Sequence, residues 1–137
     1  MPDRPATAEV SDRAAVSRVL LCSGKVYYDL AAARAQRKDP STAIVRVEQL
    51  YPFPEVKLRL TLSGYPSARD VVWVQEEPKN MGAWTFIQPL LAEVRPSGTA
   101  LWYAGRAPSA SPATGNASVH KRELAELLEE AFAAPGR

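Results

Sequence analysis

The sequence has few of the residues from which disulfides and metal sites are built. It contains one cysteine, Cys22, and one histidine, His120, among 137 residues. A single cysteine excludes a disulfide within the chain and is typical of a protein from a reducing compartment. A lone histidine with no cysteine cluster argues against a metal site, so we expect no metal ligands in this chain.

Long apolar runs and blocks of one charge are also missing. No segment approaches the roughly 20 apolar residues of a membrane span, and residues 1–16 lack the hydrophobic segment of a signal peptide. The 17 basic and 15 acidic residues leave a net charge of +2, which is too weak to indicate binding to nucleic acid. We therefore expect a soluble, cytoplasmic domain that binds neither membranes nor nucleic acid.

Strand-like and helix-like segments alternate along the rest of the chain. The apolar runs "RVLLCSG", "TAIVRVEQL", "DVVWVQE" and "TALWYAG" predict strands, and Trp73 and Trp102 are expected to pack beneath helices. The segments "KVYYDLAAARAQRKD", "EVKLRLTLSGYP", "MGAWTFIQPLLAEV" and "SVHKRELAELLEEAF" predict helices, with Pro89 at a kink or boundary of the third. In the second helix Val56 and Leu60 are expected to face inward, with Leu58 as a further candidate.

This alternation predicts an α/β fold. We expect a three-layer α/β/α sandwich around a mainly parallel sheet of about four to five strands. Residues 1–16 are rich in Pro, Ala, Asp and Arg and are expected to form a linker or disordered tail. The domain is expected to span residues 17–133, and residues 134–137 are expected to form a disordered tail.

The segment "VQEEPKNMGAW" follows the third predicted strand, at the sheet edge where ligands and partners of such folds gather. Glu76 and Glu77 are expected to point to opposite faces, so they do not form a catalytic pair. Pro78 is expected to end the strand after them. Trp84 is the kind of aromatic residue that anchors an interface, and we expect it or Met81 to be partly exposed.

Other polar groups have two readings each. Ser23, Gly24 and Lys25 in "CSGK" could cradle a phosphate, but the string matches no nucleotide fingerprint, and Ser23 as a helix cap is favoured. Cys22 is interpreted as a buried strand thiol, and His120 as a packed histidine near the apolar stripe of the last helix.

Two groups of cations could grip the phosphates of a nucleotide or a coenzyme. The favoured interpretation is a solvated surface. These cations are Lys57, Arg59, Arg34, Arg37 and Lys38. The residues taken singly therefore indicate an α/β domain without a complete active site and with no catalytic residue of its own.

Longer strings carry a resemblance. "LLCSGKVYYDL", "RVEQLYPFP", "VQEEPKNMGAW", "WYAGR", "ASPATGN" and "VHKRELAELLEEAF" together resemble the C-terminal domain of the 2-oxoglutarate dehydrogenase first component, over residues 18–132. The resemblance implies a transketolase C-terminal-like domain that serves oxidative decarboxylation of 2-oxoglutarate, with succinyl transfer to a lipoyl group. In that family thiamine diphosphate and Mg²⁺ are held by preceding domains, so none is expected in this chain, which is expected to be a fragment, a split subunit or a truncated reading frame.

The resemblance also implies partners. They are the thiamine-binding domains or a second subunit, and the lipoyl succinyltransferase complex in the full-length family. The expected interface residues lie in and beside "VQEEPKNMGAW"; they are Glu76, Glu77, Asn80, Met81 and Trp84.

Some relatives bind an acyl-CoA effector beside this domain. Gln49 and Lys57 match the positions used there, whereas Val56 stands where a second basic residue is expected. The alternatives are therefore a free-standing interaction module that pairs with a separate catalytic chain, or an effector-binding domain for acetyl-CoA or a nucleotide.

Overall fold

The computed structural model describes residues 6–7, 12–106 and 117–133 of the chain. These residues form a sheet of five strands in the order β1-β3-β2-β4-β5. Strands β2 to β5 pair in parallel, and the two-residue β1 pairs antiparallel to β3. The strands are β1 Ala6–Thr7, β2 Arg18–Cys22, β3 Thr42–Arg46, β4 Asp70–Pro78 and β5 Ala100–Arg106. The helices are α1 Val26–Arg37, α2 Glu55–Ser63, α3 Trp84–Val94 and α4 Ala117–Phe132.

Two apolar cores lie on opposite faces of the sheet, because successive strand residues point to alternate sides. On β2, Val19 and Leu21 belong to one core, while Leu20 and Cys22 belong to the other. The first core also contains buried residues of α2 and α3, and the second contains buried residues of α1 and α4. The predicted three-layer α/β/α fold with a mainly parallel sheet is therefore confirmed.

Trp73 and Trp102 are strand residues, as the sequence predicts. Trp73 is buried in the first core, and its position at the centre of β4 places it between two paired strands. Trp102 packs against the second core from the edge strand β5 and is only half-buried. Its indole Nε1 donates a hydrogen bond of 2.9 Å to Asp70 Oδ1.

Helix α2 turns a different face to the core from the one expected. Leu58 and Leu62 are buried, whereas Val56 is 70% exposed and Leu60 is 68% exposed. Each pair is four residues apart, so each forms a stripe along the helix, and the two stripes lie on opposite sides. The expectation that Val56 and Leu60 face inward is wrong, because helical spacing alone cannot choose between two leucine-containing stripes.

Several element boundaries also differ from the expected ones. Strand β3 ends at Arg46, four residues earlier than the apolar string suggests. Helix α1 ends at Arg37, where Lys38 adopts a left-handed conformation with φ of 51°. Pro89 lies inside α3, which begins at Trp84 and has no break at the proline.

The expected linker, residues 1–16, contributes to the packed domain at two points. Ala6 and Thr7 form β1, and Val16 is fully buried in the first core. The string "ASPATGN" at 110–116 and the predicted tail at 134–137 lie outside the described ranges. His120 lies within α4, but its side chain is also outside the described part of the chain.

Candidate functional site

The carboxyl ends of β4 and β5 meet at one edge of the sheet. Val74 pairs with Ala104 and Gln75 with Gly105 in parallel register. The register then shifts, and pairing resumes between Pro78 and Arg106. The shift lets Glu76 and Glu77 bulge out of the ladder, which aims the following residues away from the sheet. We call residues 76–84, from this bulge to the start of α3, the edge loop.

Strand β4 ends at Pro78, which still pairs with Arg106, so the strand ends one residue later than the predicted break after Glu77. Proline lacks an N–H group, but it is tolerated where a bulge interrupts the ladder. The pairing is completed by the next residue, because the Lys79 N–H donates a hydrogen bond of 3.1 Å to the carbonyl of Arg106. The Pro78 carbonyl in turn accepts hydrogen bonds from the N–H groups of Met81 and Gly82, at 2.9 and 3.3 Å.

The buried amide of Gln75 joins both ends of the edge loop. Its Oε1 accepts hydrogen bonds from Trp73 Nε1 at 2.9 Å and from the backbone N–H of Trp84 at 3.1 Å. Its Nε2 donates to the carbonyls of Glu77 and Pro78, at 3.1 and 2.9 Å. These four bonds use both acceptor sites and both donor hydrogens, and they fix the orientation of the amide because two donors face its oxygen.

Two glycines allow the backbone to approach Gln75. A Cβ atom on Gly82 would lie 2.6 Å from Gln75 Nε2, and one on Gly105 would lie 2.5 Å from the Gln75 carbonyl oxygen. At Gly105 the backbone oxygen leaves no room for a Cβ atom, whereas at Gly82 a Cβ atom would force the Gln75 amide out of its place. The edge loop therefore lies directly on the Gln75 amide and on the end of β5.

Glu76 and Glu77 have different surroundings. Glu76 accepts hydrogen bonds of 2.9 and 3.1 Å from Lys25 Nζ, which ties the edge loop to the start of α1. The hydrogen bond and charge of Glu76 raise the pKa of Lys25. Glu77 is exposed. The described contacts of Lys25 are thus with a carboxylate of its own domain, which favours a structural role for the "CSGK" string over phosphate binding. The expectation that Ser23 caps the helix is wrong, because the N-cap residue of α1 is Lys25 and no side chain caps the helix there.

Trp84 lies between the first core and the surface. It is half-buried, and its ring centroid is 5.3 Å from that of Tyr103 on β5. Lys79 Nζ lies 5.2 Å from the Tyr103 centroid. Met81 is exposed, so the expected partial exposure of Trp84 or Met81 is found. An open groove of about 510 Å³ runs beside this cluster and is lined by Lys79, Asn80, Trp84, Thr85 and Gln88.

The two residues proposed to bind an effector lie after β3. Gln49 is exposed, and its Nε2 donates a hydrogen bond of 3.1 Å to the carbonyl of Tyr51. Lys57 lies half-buried in the first turn of α2. Their proximity to one another and their role stay predictions.

Two of the other candidate cations, Arg34 and Arg37, are engaged within the domain. Arg37 pairs with Glu129 of α4, and its guanidinium lies 4.9 Å from the Phe132 ring centroid. Arg34 Nε donates a hydrogen bond of 2.6 Å to the Thr42 carbonyl. These contacts support a role in joining α1 to α4 and to β3, rather than one in gripping phosphates.

Two titratable groups near this edge are held in their neutral forms. Burial raises the pKa of the Cys22 thiol to about 12, against a smaller opposing effect of Arg46. Burial also raises the pKa of Tyr103 to about 12, and its hydroxyl donates a hydrogen bond of 2.8 Å to the Arg106 carbonyl. A protonated thiol is a poor nucleophile, which agrees with the interpretation of Cys22 as a structural residue.

Within the described ranges, no group of three or more His, Cys, Asp or Glu side chains is placed to hold a metal ion. None of the helices in the same part of the chain combines the length and hydropathy needed to span a bilayer.

Two residues that organise the edge loop, Gln75 and Tyr103, have no predicted role. The strand-end rule points to Gln75 together with Glu76 and Glu77, but it does not indicate that the Gln75 amide holds the loop. The available signal was the pair of glycines, Gly82 and Gly105, which mark close backbone approach.

The fold and this edge define the class of protein. The chain is a mainly parallel α/β/α domain whose edge loop follows strand β4, at the carboxyl edge typical of binding sites in such folds. Residues 1–132 match the family model described as 2-oxoglutarate dehydrogenase C-terminal. The chain therefore belongs to the 2-oxoglutarate dehydrogenase C-terminal family.

Similar proteins include enzymes of bacteria and of an animal. The 2-oxoglutarate dehydrogenase E1 component of Cupriavidus necator is 50% identical over 118 residues, which are 86% of this chain and 12% of the relative. The corresponding protein of an Exiguobacterium species is 44% identical over 132 residues, with coverages of 95% and 14%. The mitochondrial 2-oxoglutarate dehydrogenase of Caenorhabditis elegans is 48% identical over 122 residues, with coverages of 88% and 12%. The chain thus spans about an eighth of the length of these relatives.

Proposed function

We propose that this chain serves as the C-terminal domain of a 2-oxoglutarate dehydrogenase E1 component. The reaction served is oxidative decarboxylation of 2-oxoglutarate, with succinyl transfer to the lipoyl group of the partner succinyltransferase, in the tricarboxylic acid cycle. The observation that carries this proposal is the match of residues 1–132 to the family, together with 44–50% identity to E1 components. A reducing cytoplasmic location is part of the proposal and is supported by the single buried cysteine.

The chemistry itself is assigned to the part of the enzyme that this chain does not match. Thiamine diphosphate, which supplies the electron sink for decarboxylation, is bound through Mg²⁺ and its oxygen ligands. The contribution that we propose for this domain is structural: it presents a shaped surface to the catalytic portion or to a second subunit.

The edge loop is the proposed contact surface, formed by Glu76, Glu77, Asn80, Met81 and Trp84. Its backbone is fixed by buried hydrogen bonds, while Asn80 and Met81 project from it exposed. Glu76 holds the loop to Lys25, which leaves the exposed Glu77 to face a partner. A rigid loop with an aromatic anchor loses little conformational entropy on binding, so this arrangement suits a protein interface.

Segment replacement tests the function directly. The 118-residue matching segment of the Cupriavidus necator E1 component is replaced by this chain, and oxidation of 2-oxoglutarate by the purified hybrid is measured with the partner components of the complex. We expect the hybrid to retain activity. A folded hybrid that binds thiamine diphosphate but lacks activity would contradict the proposal and would favour a free-standing interaction module that pairs with a separate chain.

A second candidate role is the binding of acetyl-CoA or a related acyl-CoA. It is favoured by the exposed amide of Gln49 and by Lys57 on the first turn of α2, which both match effector positions. The test is the thermal shift of the chain with acetyl-CoA, compared between the native chain and Lys57→Ala. A shift of equal size in both proteins would rule out this site.

A further inference from the structure

Gln75 lies beneath the proposed contact loop without belonging to its surface. The side chain is 3% exposed, so it cannot itself touch a partner. Its four hydrogen bonds reach Trp73 before the loop, Glu77 and Pro78 at the loop's beginning, and Trp84 at its end. The amide therefore closes the loop by joining its two ends.

The middle of the edge loop has few buried side chains. Lys79 is half-buried, and the next two residues, Asn80 and Met81, are exposed. The N–H groups of Met81 and Gly82 both donate to the Pro78 carbonyl, which also accepts from Gln75 Nε2. Because no apolar side chain from Lys79 to Gly82 is buried, this part of the loop depends largely on its polar contacts.

We propose that Gln75 is a positioning residue that holds the edge loop in its binding conformation and so sets the affinity of the domain for its catalytic partner. This inference rests on the proposed function of the loop as an interface. Loss of the amide releases the loop, and the partner must then supply the free energy of ordering it, which weakens binding. Gly82 is needed for the same arrangement, because a Cβ atom at this position would displace the Gln75 amide.

Two substitutions separate the roles of the amide. Gln75→Met keeps the length of the side chain and removes all four hydrogen bonds. Gln75→Glu keeps the two acceptor sites but, when ionised, places a carboxylate against the carbonyls of Glu77 and Pro78. A protonated Glu restores one donor, so the neutral form fits the site and burial raises its pKa. The loop of Gln75→Glu should be ordered below that pKa and released above it.

Hydrogen exchange of the hybrid E1 component reports on the loop directly. We expect the amides of Met81, Gly82 and Trp84 to exchange about tenfold faster or more in Gln75→Met, while Val72 and Val74 of β4 keep their protection. In Gln75→Glu the same loop amides should lose protection as the pH rises, after correction for intrinsic exchange. The matched control is Gln36→Met, because Gln36 is an exposed glutamine on α1. It should change neither the exchange rates of the loop amides nor their dependence on pH.

Activity of the hybrid then distinguishes the positioning role of Gln75 from the role of the edge loop as an interface. Faster loop exchange together with about tenfold lower 2-oxoglutarate oxidation supports the proposal. Faster loop exchange with unchanged activity would show that the loop is not an interface, while the positioning role of Gln75 would stand.

Two results would overturn the positioning role. One is unchanged loop exchange in both Gln75 variants. The other is loss of protection throughout β4 in both variants at every pH, which would make Gln75 a general stability residue.

Discussion

At the scale of single residues, Trp73 buries an apolar ring whose indole N–H also needs a hydrogen-bond acceptor. Among the described residues it is the largest side chain that is fully buried, and its indole Nε1 reaches the Gln75 amide. Burial of the ring contributes free energy only because that N–H has an acceptor. The core and the edge loop are thus linked through one hydrogen bond.

Replacing Trp73 tests that link. We expect Trp73→Ala to lower the free energy of unfolding by roughly 3–5 kcal/mol, because it leaves a large cavity beneath α3. Trp84→Ala is the control; since Trp84 is half-buried, we expect a loss of about 1–2 kcal/mol. Urea unfolding of both variants measures the difference, and a loss below about 1 kcal/mol for Trp73→Ala would place its side chain outside the core.

Cys22 gives the chain a dependence of stability on alkaline pH. The folded state raises the pKa of the thiol from 9.0 to about 12, so the thiol stays protonated in the fold after it ionises in the unfolded chain. Its contribution is complete below pH 9 and is lost as the pH rises from 9 to 12. The free energy of unfolding should fall by up to about 1.4 kcal/mol per pH unit in that window.

Cys22→Val is the control for this effect, since it keeps an apolar side chain in the same core position. Urea unfolding between pH 8 and 10.5 should show a shallower decline for the variant than for the native chain. Parallel declines for the two proteins would mean that other groups, such as Tyr103, account for the whole alkaline loss.

The sequence predicts some residues of the site and misses others for a physical reason. Trp84 and Met81 stand out because large apolar residues beside glycine and proline suggest a partner surface. Gln75 has no such signal, because its role depends on four groups that only the folded bulge brings together. Glu76 and Glu77 are predicted to point to opposite faces, but the pairing of Glu76 with Lys25 could not be inferred because the two residues are 51 apart in the chain.

At the scale of elements, the alternation of strands and helices predicts the fold, whereas it does not predict which face of α2 is buried or where β3 ends. Parallel strands buried on both faces give continuous apolar runs, which fix their existence and order of occurrence. Strand β4 reaches Pro78 because pairing resumes after a bulge and the Lys79 N–H bonds to the Arg106 carbonyl, and neither feature is visible in the string. In α2 the pairs Val56/Leu60 and Leu58/Leu62 have the same helical spacing, so the sequence pattern does not show which pair is buried.

Two leucines of α2 test which stripe packs on the sheet. Leu58→Ala should lower the free energy of unfolding by about 2–5 kcal/mol, since Leu58 is fully buried in the first core. Leu60→Ala removes a largely exposed side chain and should change it by no more than about 0.5 kcal/mol. Equal losses, or a larger loss for Leu60→Ala in chemical unfolding, would mean that α2 is rotated from the described orientation.

At the scale of the whole molecule, the two outer layers differ in character. Among the described residues, the exposed large apolar side chains on the α2 and α3 side and its adjoining loops are Tyr51, Val56, Leu60, Met81 and Phe86. On the α1 and α4 side the corresponding residue is Tyr28, whose hydroxyl accepts a hydrogen bond of 3.0 Å from Arg46. Exposed apolar surface concentrated on one side is typical of a domain that is covered by a partner there.

The central claim is that this domain works by docking its edge loop onto the catalytic portion of an E1 component. The most direct measurement is the rate of 2-oxoglutarate oxidation by the hybrid E1 component carrying Trp84→Ala or Tyr28→Ala. Both residues are aromatic with accessible rings, but Tyr28 lies on the opposite layer. We predict a loss of about tenfold or more for Trp84→Ala and less than about twofold for Tyr28→Ala, with both variants folded by circular dichroism. Full activity of a folded Trp84→Ala hybrid would contradict the account.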